Sequence, residues 1–228
     1  MRPPRLPEPQ SRPIVCYVTD SRSLPRGLNL MDAIRGAVSC GADWIQLREK
    51  HLPARELLAL ASEAIAAAQL VSAGSPSARV IVNDRLDVAL AAGAGGVHLG
   101  GESIPVAAAV EWCRSGNSPA AFMVGASCHS LGDALAVEPA GASYIFFGPV
   151  FDTPSKRSFG PPQGLDRLSE VCAAVNTPVI AIGGVNEENA ASCIRSGASG
   201  IAAIRLFQEA RDEATLRDFI ATLHAVGV

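Results

Sequence analysis

Short apolar segments alternate with longer segments of helical period along most of this chain. The short segments, rich in β-branched and aromatic residues, predict strands over residues 14–19, 44–48, 80–83, 96–99, 123–127, 144–148, 178–182 and 200–204. Between the second and third of them, residues 54–68 place Leu57, Ala61, Ile65 and Ala68 on one face at helical spacing. Strands that alternate with helices are typical of βα units, which build a parallel sheet.

A tetrapeptide that begins with Gly-Ala precedes four of the predicted strands. Its copies begin at Gly41, Gly93, Gly141 and Gly197, at intervals of 52, 48 and 56 residues. Glycine suits the left-handed residue that ends a helix, and the next strand then begins about three residues later. Two βα units per interval predict eight units and a single-domain (β/α)8 TIM barrel, with a doubly wound open sheet as the alternative.

The composition agrees with one globular domain preceded by a tail. Residues 1–13 hold five prolines and three arginines without apolar periodicity, so we expect a disordered Pro-rich tail followed by a barrel catalytic domain over residues 14–228. Hydrophobic residues make up 48% and charged residues 18% of the chain, which leaves ample apolar surface for a core. The six cysteines form no C-x-x-C pair, so we expect reduced, mostly buried thiols.

Charge and hydropathy argue against two classes of partner. A net charge of -3 and a pI near 5.8 provide no basic field for non-specific binding of nucleic acid. No apolar run reaches the roughly 20 residues that cross a bilayer, and the N-terminus lacks the apolar stretch of a signal peptide. We therefore expect a cytoplasmic protein whose partners are small molecules, and the sequence leaves open whether it forms a homo-oligomer.

Cationic side chains collect where predicted strands end. Arg48 and Lys50 stand at the end of the second strand, and Lys156 follows the sixth. At the mouth of a barrel they would neutralise a di- or polyanion such as pyrophosphate, although solvated surface charge is the alternative. Gln46 is expected to point into the barrel, where its amide would bind a heteroaromatic ligand or belong to a polar layer of the barrel itself.

Asp84 is the candidate metal ligand. Mg²⁺ typically uses one or two carboxylates together with phosphate oxygens of a substrate. Asp84 directly follows the strand-end residue Asn83, although Asn-Asp is also ordinary turn chemistry. Glu49 and Glu102 are further oxygen donors near the same mouth.

Glycines and histidines mark the remaining strand ends. Gly183 and Gly184 would let backbone N–H groups approach a phosphate that the Ile204-Arg205 segment also faces, and a turn without phosphate is the alternative. His129 has the chemistry of an acid or base near neutral pH but also suits a helix start. His98, which ends the fourth strand beside two glycines, favours a structural role.

Read in order, these segments resemble one enzyme family. The matching blocks are Gln46-Leu47-Arg48-Glu49-Lys50, Asn83-Asp84-Arg85, Gly96-Val97-His98-Leu99-Gly100, Gly125-Ala126-Ser127-Cys128-His129-Ser130, Phe147-Gly148-Pro149-Val150-Phe151 through Thr153 and Lys156, and Ile182-Gly183-Gly184. The set resembles thiamine phosphate synthase and its relative, the TenI-type thiazole tautomerase. Because the blocks run from the second strand to the turn after the seventh, the ordered set is far more specific than any one of them.

The resemblance implies a (β/α)8 barrel that joins 4-amino-5-hydroxymethyl-2-methylpyrimidine diphosphate to thiazole phosphate, giving thiamine phosphate and pyrophosphate. It also implies that departure of the diphosphate leaves a pyrimidine carbocation, which the thiazole nitrogen captures, so that the protein positions substrates and stabilises charge. By the same resemblance, Arg48, Lys50, Asn83, Ser127 and Lys156 bind the pyrimidine diphosphate, Asp84 holds Mg²⁺, Gln46 contacts the pyrimidine, Thr153 and Ser155 bind thiazole phosphate, and Gly183 and Gly184 hold its phosphate.

The chain departs from the synthase pattern in two segments. Where the family continues Gln-Glu-Asp, with that Asp a second Mg²⁺ ligand, this chain has 101–103 as Gly-Glu-Ser, and Arg205 stands where the synthase usually has serine. These departures leave a tautomerase as an alternative function. Such an enzyme would isomerise a thiazole carboxylate phosphate without Mg²⁺, with His129 as acid and base. A catalytically silent regulatory barrel that binds a phosphorylated ligand is a further alternative, whereas Gln46 and the Asn83-Asp84 pair favour the synthase.

Overall fold

The computed structural model describes residues 12–71, 77–153 and 161–227, whose strands form a closed parallel barrel. The strands are β1 Ile14–Val18, β2 Trp44–Leu47, β3 Arg79–Asn83, β4 Gly96–Leu99, β5 Met123–Cys128, β6 Tyr144–Phe147, β7 Val179–Ile182 and β8 Gly200–Ala203. Each begins and ends within one residue of its predicted bounds. The alternative of an open sheet is wrong, because β8 pairs with β1, with Gly200 opposite Ile14.

Helices follow the strands and cover the outside of the barrel. In the described residues they are α1 Leu30–Ser39, α2 Ala54–Val71, α3 Leu86–Ala91, α4 Val106–Trp112, α5 Leu131–Val137, α6 Gly164–Ala174, α7 Ala190–Arg195, α8 Arg205–Gln208 and α9 Glu213–His224. Side-chain caps start α1 at Asn29, α5 at Ser130 and α9 at Asp212. None of these helices is long and apolar enough to cross a membrane.

The Gly-Ala repeat marks equivalent turns, as predicted. Gly41, Gly93, Gly141 and Gly197 have φ angles of 100°, 67°, 92° and 96°, which is the left-handed region that favours glycine. A strand begins three residues after each of them, because the left-handed residue turns the chain from the preceding helix back into the barrel.

The apolar core consists of two layers separated by the strands. One layer fills the space between the strands and the helices, and includes Leu57, Ala61 and Ala68 of the predicted helical face. The other fills the barrel interior with large side chains such as Trp44 and Tyr144. These side chains fill the middle of the barrel.

The amino end of the barrel is held together by Asp43. Its carboxylate accepts hydrogen bonds from the backbone N–H of Val15 at 2.8 Å, from Arg12 at 2.6 Å and from the ring of His224 at 2.9 Å. Arg12 and Pro13 are the described part of the predicted tail, and residues 1–11 lie outside the described residues. Asp43 therefore ties the start of the barrel to its last helix.

Candidate active site

A cavity of about 930 Å³ opens at the carboxyl ends of the strands. The predicted site residues in its lining are Gln46, Arg48, Asn83, Ser127, His129, Thr153, Gly183, Gly184, Ile204 and Arg205. They come from most of the strand ends around the barrel, which is where enzymes with this fold carry their sites. The fold thus brings together side chains that are far apart in the sequence.

Lys50 and Asp84 line a second, smaller cavity beside the first. Its volume is about 220 Å³, and Asn83 belongs to both linings. The Lys50 ammonium lies 3.3 Å from an Asp84 carboxylate oxygen. The predicted residues Ser155 and Lys156 lie outside the described residues, so the predicted cluster of cations is described for Arg48 and Lys50 only.

A chain of side-chain amides connects the barrel interior to Asp84. The Gln46 amide nitrogen donates to Asn83 Oδ1 at 2.9 Å, and the Asn83 amide nitrogen donates to Asp84 Oδ2 at 2.6 Å. Gln46 is 2% exposed, and within the described residues its Oε1 has no hydrogen-bond partner. A buried acceptor without a partner is costly, so a ligand that brings an N–H group would satisfy it.

Asp84 is held in a left-handed conformation with φ of 61°. Its short polar side chain tolerates this region, and here it accepts hydrogen bonds from the Ser103 hydroxyl and, at 3.3 Å, from the Gly100 N–H. Burial alone would raise the pKa of Asp84, but the Ser103 hydroxyl and the Lys50 charge outweigh burial and lower it. Ser103, one of the two departures from the family pattern, therefore supports an ionised Asp84.

Glu49 and Thr19 form hydrogen bonds that connect the loop after β1 to the backbone of Arg48. The Glu49 carboxylate accepts hydrogen bonds from the Thr19 hydroxyl at 2.6 Å and the Ser21 hydroxyl at 2.5 Å. The same Thr19 oxygen accepts the Arg48 backbone N–H at 3.0 Å. The Glu49 oxygens that the sequence offered as metal donors are thus used inside the protein. Sequence reasoning missed Thr19, whose only signal is its position at the end of the first predicted strand.

His98 lies in the cavity wall between a serine and a tyrosine. Its Nε2 is 2.9 Å from Ser127 Oγ and its Nδ1 is 3.2 Å from the Tyr144 hydroxyl. The centroids of the His98 and Phe146 rings are 4.3 Å apart. Burial lowers the pKa of His98 to about 3 and outweighs the opposing effect of the Asp84 charge, so the ring is neutral near physiological pH.

Gly183 and Gly184 form a tight turn after β7. Their φ angles are 94° and 68°, and a Cβ atom on Gly183 would lie 2.5 Å from Pro149. The Gly183 carbonyl accepts the Phe151 N–H at 2.9 Å, which ties this turn to the loop after β6. Backbone without side chains is thereby presented to the cavity, as close approach to a phosphate requires.

His129 occupies the loop after β5 at the cavity edge. Its Nδ1 contacts the Gly148 carbonyl oxygen, which can only accept, so this ring nitrogen is the donor. Its backbone N–H donates to the carboxylate of Asp133, in the first turn of α5, at 2.9 Å. The residue combines the helix-start position and the cavity position that the sequence offered as alternatives.

The closed parallel barrel, its apolar interior and the polar cavity above it define an α/β-barrel protein. Its small-molecule site lies at the carboxyl ends of the strands. A sequence model of the family described as thiamine monophosphate synthase matches residues 15–207. The chain belongs to this family.

Relatives match over nearly the whole chain. Thiamine-phosphate synthase of Methanoculleus marisnigri is 42% identical over 92% of this chain and 97% of its own length. Thiamine-phosphate synthase of Roseiflexus sp. is 42% identical over 97% of this chain and 88% of its own. Among solved structures, thiamine phosphate pyrophosphorylase from Pyrococcus furiosus is 32% identical with a TM-score of 0.79, covering 93% of this chain and 96% of that one.

Proposed function

We propose that this chain is a thiamine phosphate synthase, which joins 4-amino-5-hydroxymethyl-2-methylpyrimidine diphosphate to thiazole phosphate and releases pyrophosphate. The names of the full-length relatives support this function. The observation that carries it is the buried Oε1 of Gln46, which lies in the cavity lining without a partner among the described residues. An aminopyrimidine has an exocyclic N–H donor of the kind that this acceptor lacks.

The diphosphate end of that substrate would lie toward Arg48 and Lys50. Arg48 lines the large cavity and Lys50 the small one, and Asn83 joins the two linings. We expect these cations, the Ser127 hydroxyl and Lys156 to stabilise the charge of the leaving diphosphate. The carbon–oxygen bond breaks with both electrons on the diphosphate, and the thiazole nitrogen then gives its lone pair to the exocyclic carbon.

The thiazole phosphate would occupy the opposite side of the same cavity. Thr153, Ile204 and Arg205 line this side together with the Gly183-Gly184 turn, and Ser155 is expected there as well. The turn offers backbone N–H groups to the phosphate, and the exposed Arg205 offers a guanidinium that a serine at this position would not. Because both substrates meet in one cavity, the reaction is favoured mainly by their proximity and orientation.

Magnesium fits this site through one protein carboxylate. The ionised Asp84 would hold Mg²⁺, with Ser103 and Asn83 as neutral neighbours, and the described residues offer no cluster of three or more His, Cys, Asp or Glu for a metal. This donor set is sufficient for Mg²⁺, which takes its remaining ligands from substrate phosphates and water. When bound, the ion would neutralise part of the charge on the leaving diphosphate.

The proposal is tested by giving the purified protein two alternative reactions. One assay supplies the pyrimidine diphosphate and thiazole phosphate with Mg²⁺, and the other supplies the thiazole carboxylate phosphate tautomer alone. We expect thiamine phosphate in the first assay, loss of its formation on chelation by EDTA, and recovery when Mg²⁺ is restored. Isomerisation of the thiazole in the second assay, with no thiamine phosphate in the first, would assign the chain to the tautomerases instead.

A further inference from the structure

Tyr144, His98 and Ser127 form a hydrogen-bonded row that runs from the barrel interior to the cavity. The Tyr144 hydroxyl lies 3.2 Å from His98 Nδ1, and His98 Nε2 lies 2.9 Å from Ser127 Oγ. Tyr144 is fully buried and His98 is 2% exposed, whereas Ser127 is partly exposed and lines the cavity. The row therefore connects a buried phenol to a hydroxyl that can touch a ligand.

The direction of the hydrogen bonds follows from the buried phenol. Within the described part of the chain, His98 Nδ1 is the only hydrogen-bond partner of the Tyr144 hydroxyl. If Nδ1 carried the imidazole proton, the phenolic proton would be buried without an acceptor, which is unfavourable. Tyr144 therefore donates to Nδ1, and the neutral ring carries its single proton on Nε2.

The proton on Nε2 decides what Ser127 can do. A ring that donates from Nε2 makes Ser127 Oγ an acceptor, so the Ser127 proton is not used by His98 and is free to point into the cavity. With the other tautomer, Ser127 would donate to His98 and turn its lone pairs toward the ligand. Lone pairs would repel an anionic group, whereas an O–H bond would stabilise it.

We propose that Tyr144 and His98 are positioning residues that hold Ser127 as a hydrogen-bond donor to the leaving diphosphate. This inference rests on the proposed function, because it assigns the anion that Ser127 meets. Neither Tyr144 nor the proton of His98 takes part in the bond changes, and their effect is exerted through the orientation of the serine hydroxyl.

The barrel provides a fitted space for this row. His98 in β4 lies opposite Gly125 in β5, and Gly125 lies opposite Tyr144 in β6. A Cβ atom on Gly125 would come within 2.0 Å of the Tyr144 ring. The missing side chain thus allows the phenol of β6 to cross β5 and reach the imidazole of β4, two strands away.

The first test measures the proton of His98 directly, without reference to activity. The chain has four histidines, so ¹⁵N spectra of the labelled protein resolve each ring, and the His98 signals are identified by their loss in His98→Gln. We expect the Nε2–H tautomer in the wild-type protein and a shift toward Nδ1–H in Tyr144→Phe. An Nδ1–H tautomer in the wild-type protein would overturn the proposal, whatever the effect of Tyr144→Phe.

Tyr17→Phe is the matched control for the tyrosine variant. Tyr17 is the other tyrosine of the chain, is also fully buried in a barrel strand, and accepts a hydrogen bond from Gln208 at 3.0 Å, away from the cavity lining. We expect Tyr17→Phe to leave the His98 tautomer unchanged. An equal change in both variants would show that general loosening of the barrel, and not the row, sets the tautomer.

The second test is a kinetic double-mutant cycle on thiamine phosphate formation. Removing the phenolic hydroxyl in Tyr144→Phe should lower kcat about tenfold in the wild-type background and by little in Ser127→Ala, because the serine it orients is then absent. Full additivity of the two substitutions would overturn the proposal. If the wild-type protein forms no thiamine phosphate, the proposed function fails, and the tautomer measurement still decides whether the row is arranged as described.

Discussion

At the scale of single residues, neutral polar groups are buried as completely as apolar ones. Gln46 and His98 are both 2% exposed, and Asn83 is 9% exposed. Gln46 is hydrogen-bonded to Asn83, and His98 to Ser127, on the neighbouring strand. Replacing one residue of a pair therefore removes the hydrogen bond that positions the other. The polar side chains of the cavity therefore position one another in hydrogen-bonded pairs.

The buried neutral state of His98 predicts an acid-dependent loss of stability. The unfolded chain binds a proton at His98 below its ordinary pKa of 6.5, whereas the folded chain does so only below about 3. Stability is therefore lost as pH falls through this range, at about 1.4 kcal/mol per pH unit. Urea unfolding at pH 6.5 and pH 5 should show a loss about 1.6 kcal/mol larger for the wild-type protein than for His98→Gln. Equal losses in the two proteins would contradict the assigned burial.

At the scale of elements, the turn after β7 depends on the loop after β6. The Gly183 carbonyl accepts the Phe151 N–H, and Pro149 leaves no space for a side chain on Gly183. Two neighbouring strand ends are thus joined by backbone contacts. Binding of a phosphate at this turn would therefore depend on how the ends of β6 and β7 are placed relative to each other.

Gly183→Ala should disturb both stability and binding of thiazole phosphate. The new methyl group would meet Pro149 at a left-handed φ, with an expected cost of about 1–3 kcal/mol in the free energy of unfolding. We expect the KM for thiazole phosphate to rise about tenfold, because the turn must move. Gly93→Ala is the control, since Gly93 has φ of 67° but nothing within 4 Å of the added Cβ. Similar KM values in the two variants would contradict the assignment of the turn.

Repeating patterns in the sequence predict the elements well and the pairing of side chains poorly. Eight apolar segments and four Gly-Ala turns predict the barrel because each depends only on neighbouring residues. The contact of Ser103 with Asp84, and that of Glu49 with Thr19, depend on how loops from different strands return to the mouth. No local period encodes such contacts. The same is true of His98, which the sequence marks as structural without indicating Ser127 or Tyr144.

At the scale of the whole molecule, the two ends of the barrel have different roles. At the amino end, the Asp43 carboxylate joins Arg12, Val15 and His224. The carboxyl end carries the two cavities and those predicted site residues that the structure describes. This division is expected for a (β/α)8 barrel, in which one face contributes stability and the other chemistry.

Asp43→Ala should therefore lower stability and leave the site unchanged. The substitution removes an acceptor that is 13% exposed in its side chain, at an expected cost of about 2–3 kcal/mol in the free energy of unfolding. Urea unfolding measures this cost, and the KM values for both substrates should stay as in the wild-type protein. Asp218→Ala, at an exposed position of α9, should change stability by less than about 0.5 kcal/mol. Equal effects of the two substitutions would contradict the role of Asp43.

The most direct test of the account is the single-turnover rate of pyrophosphate release, measured for Arg48→Ala and Arg35→Ala. Arg48 lines the cavity, whereas Arg35 is an exposed residue of α1 that pairs with Asp32 and Glu63. If Arg48 stabilises the leaving diphosphate, its removal should lower this rate about 10²–10³-fold, with an unchanged free energy of unfolding, while Arg35→Ala keeps the wild-type rate. A wild-type rate in Arg48→Ala would contradict the placement of the diphosphate in this cavity.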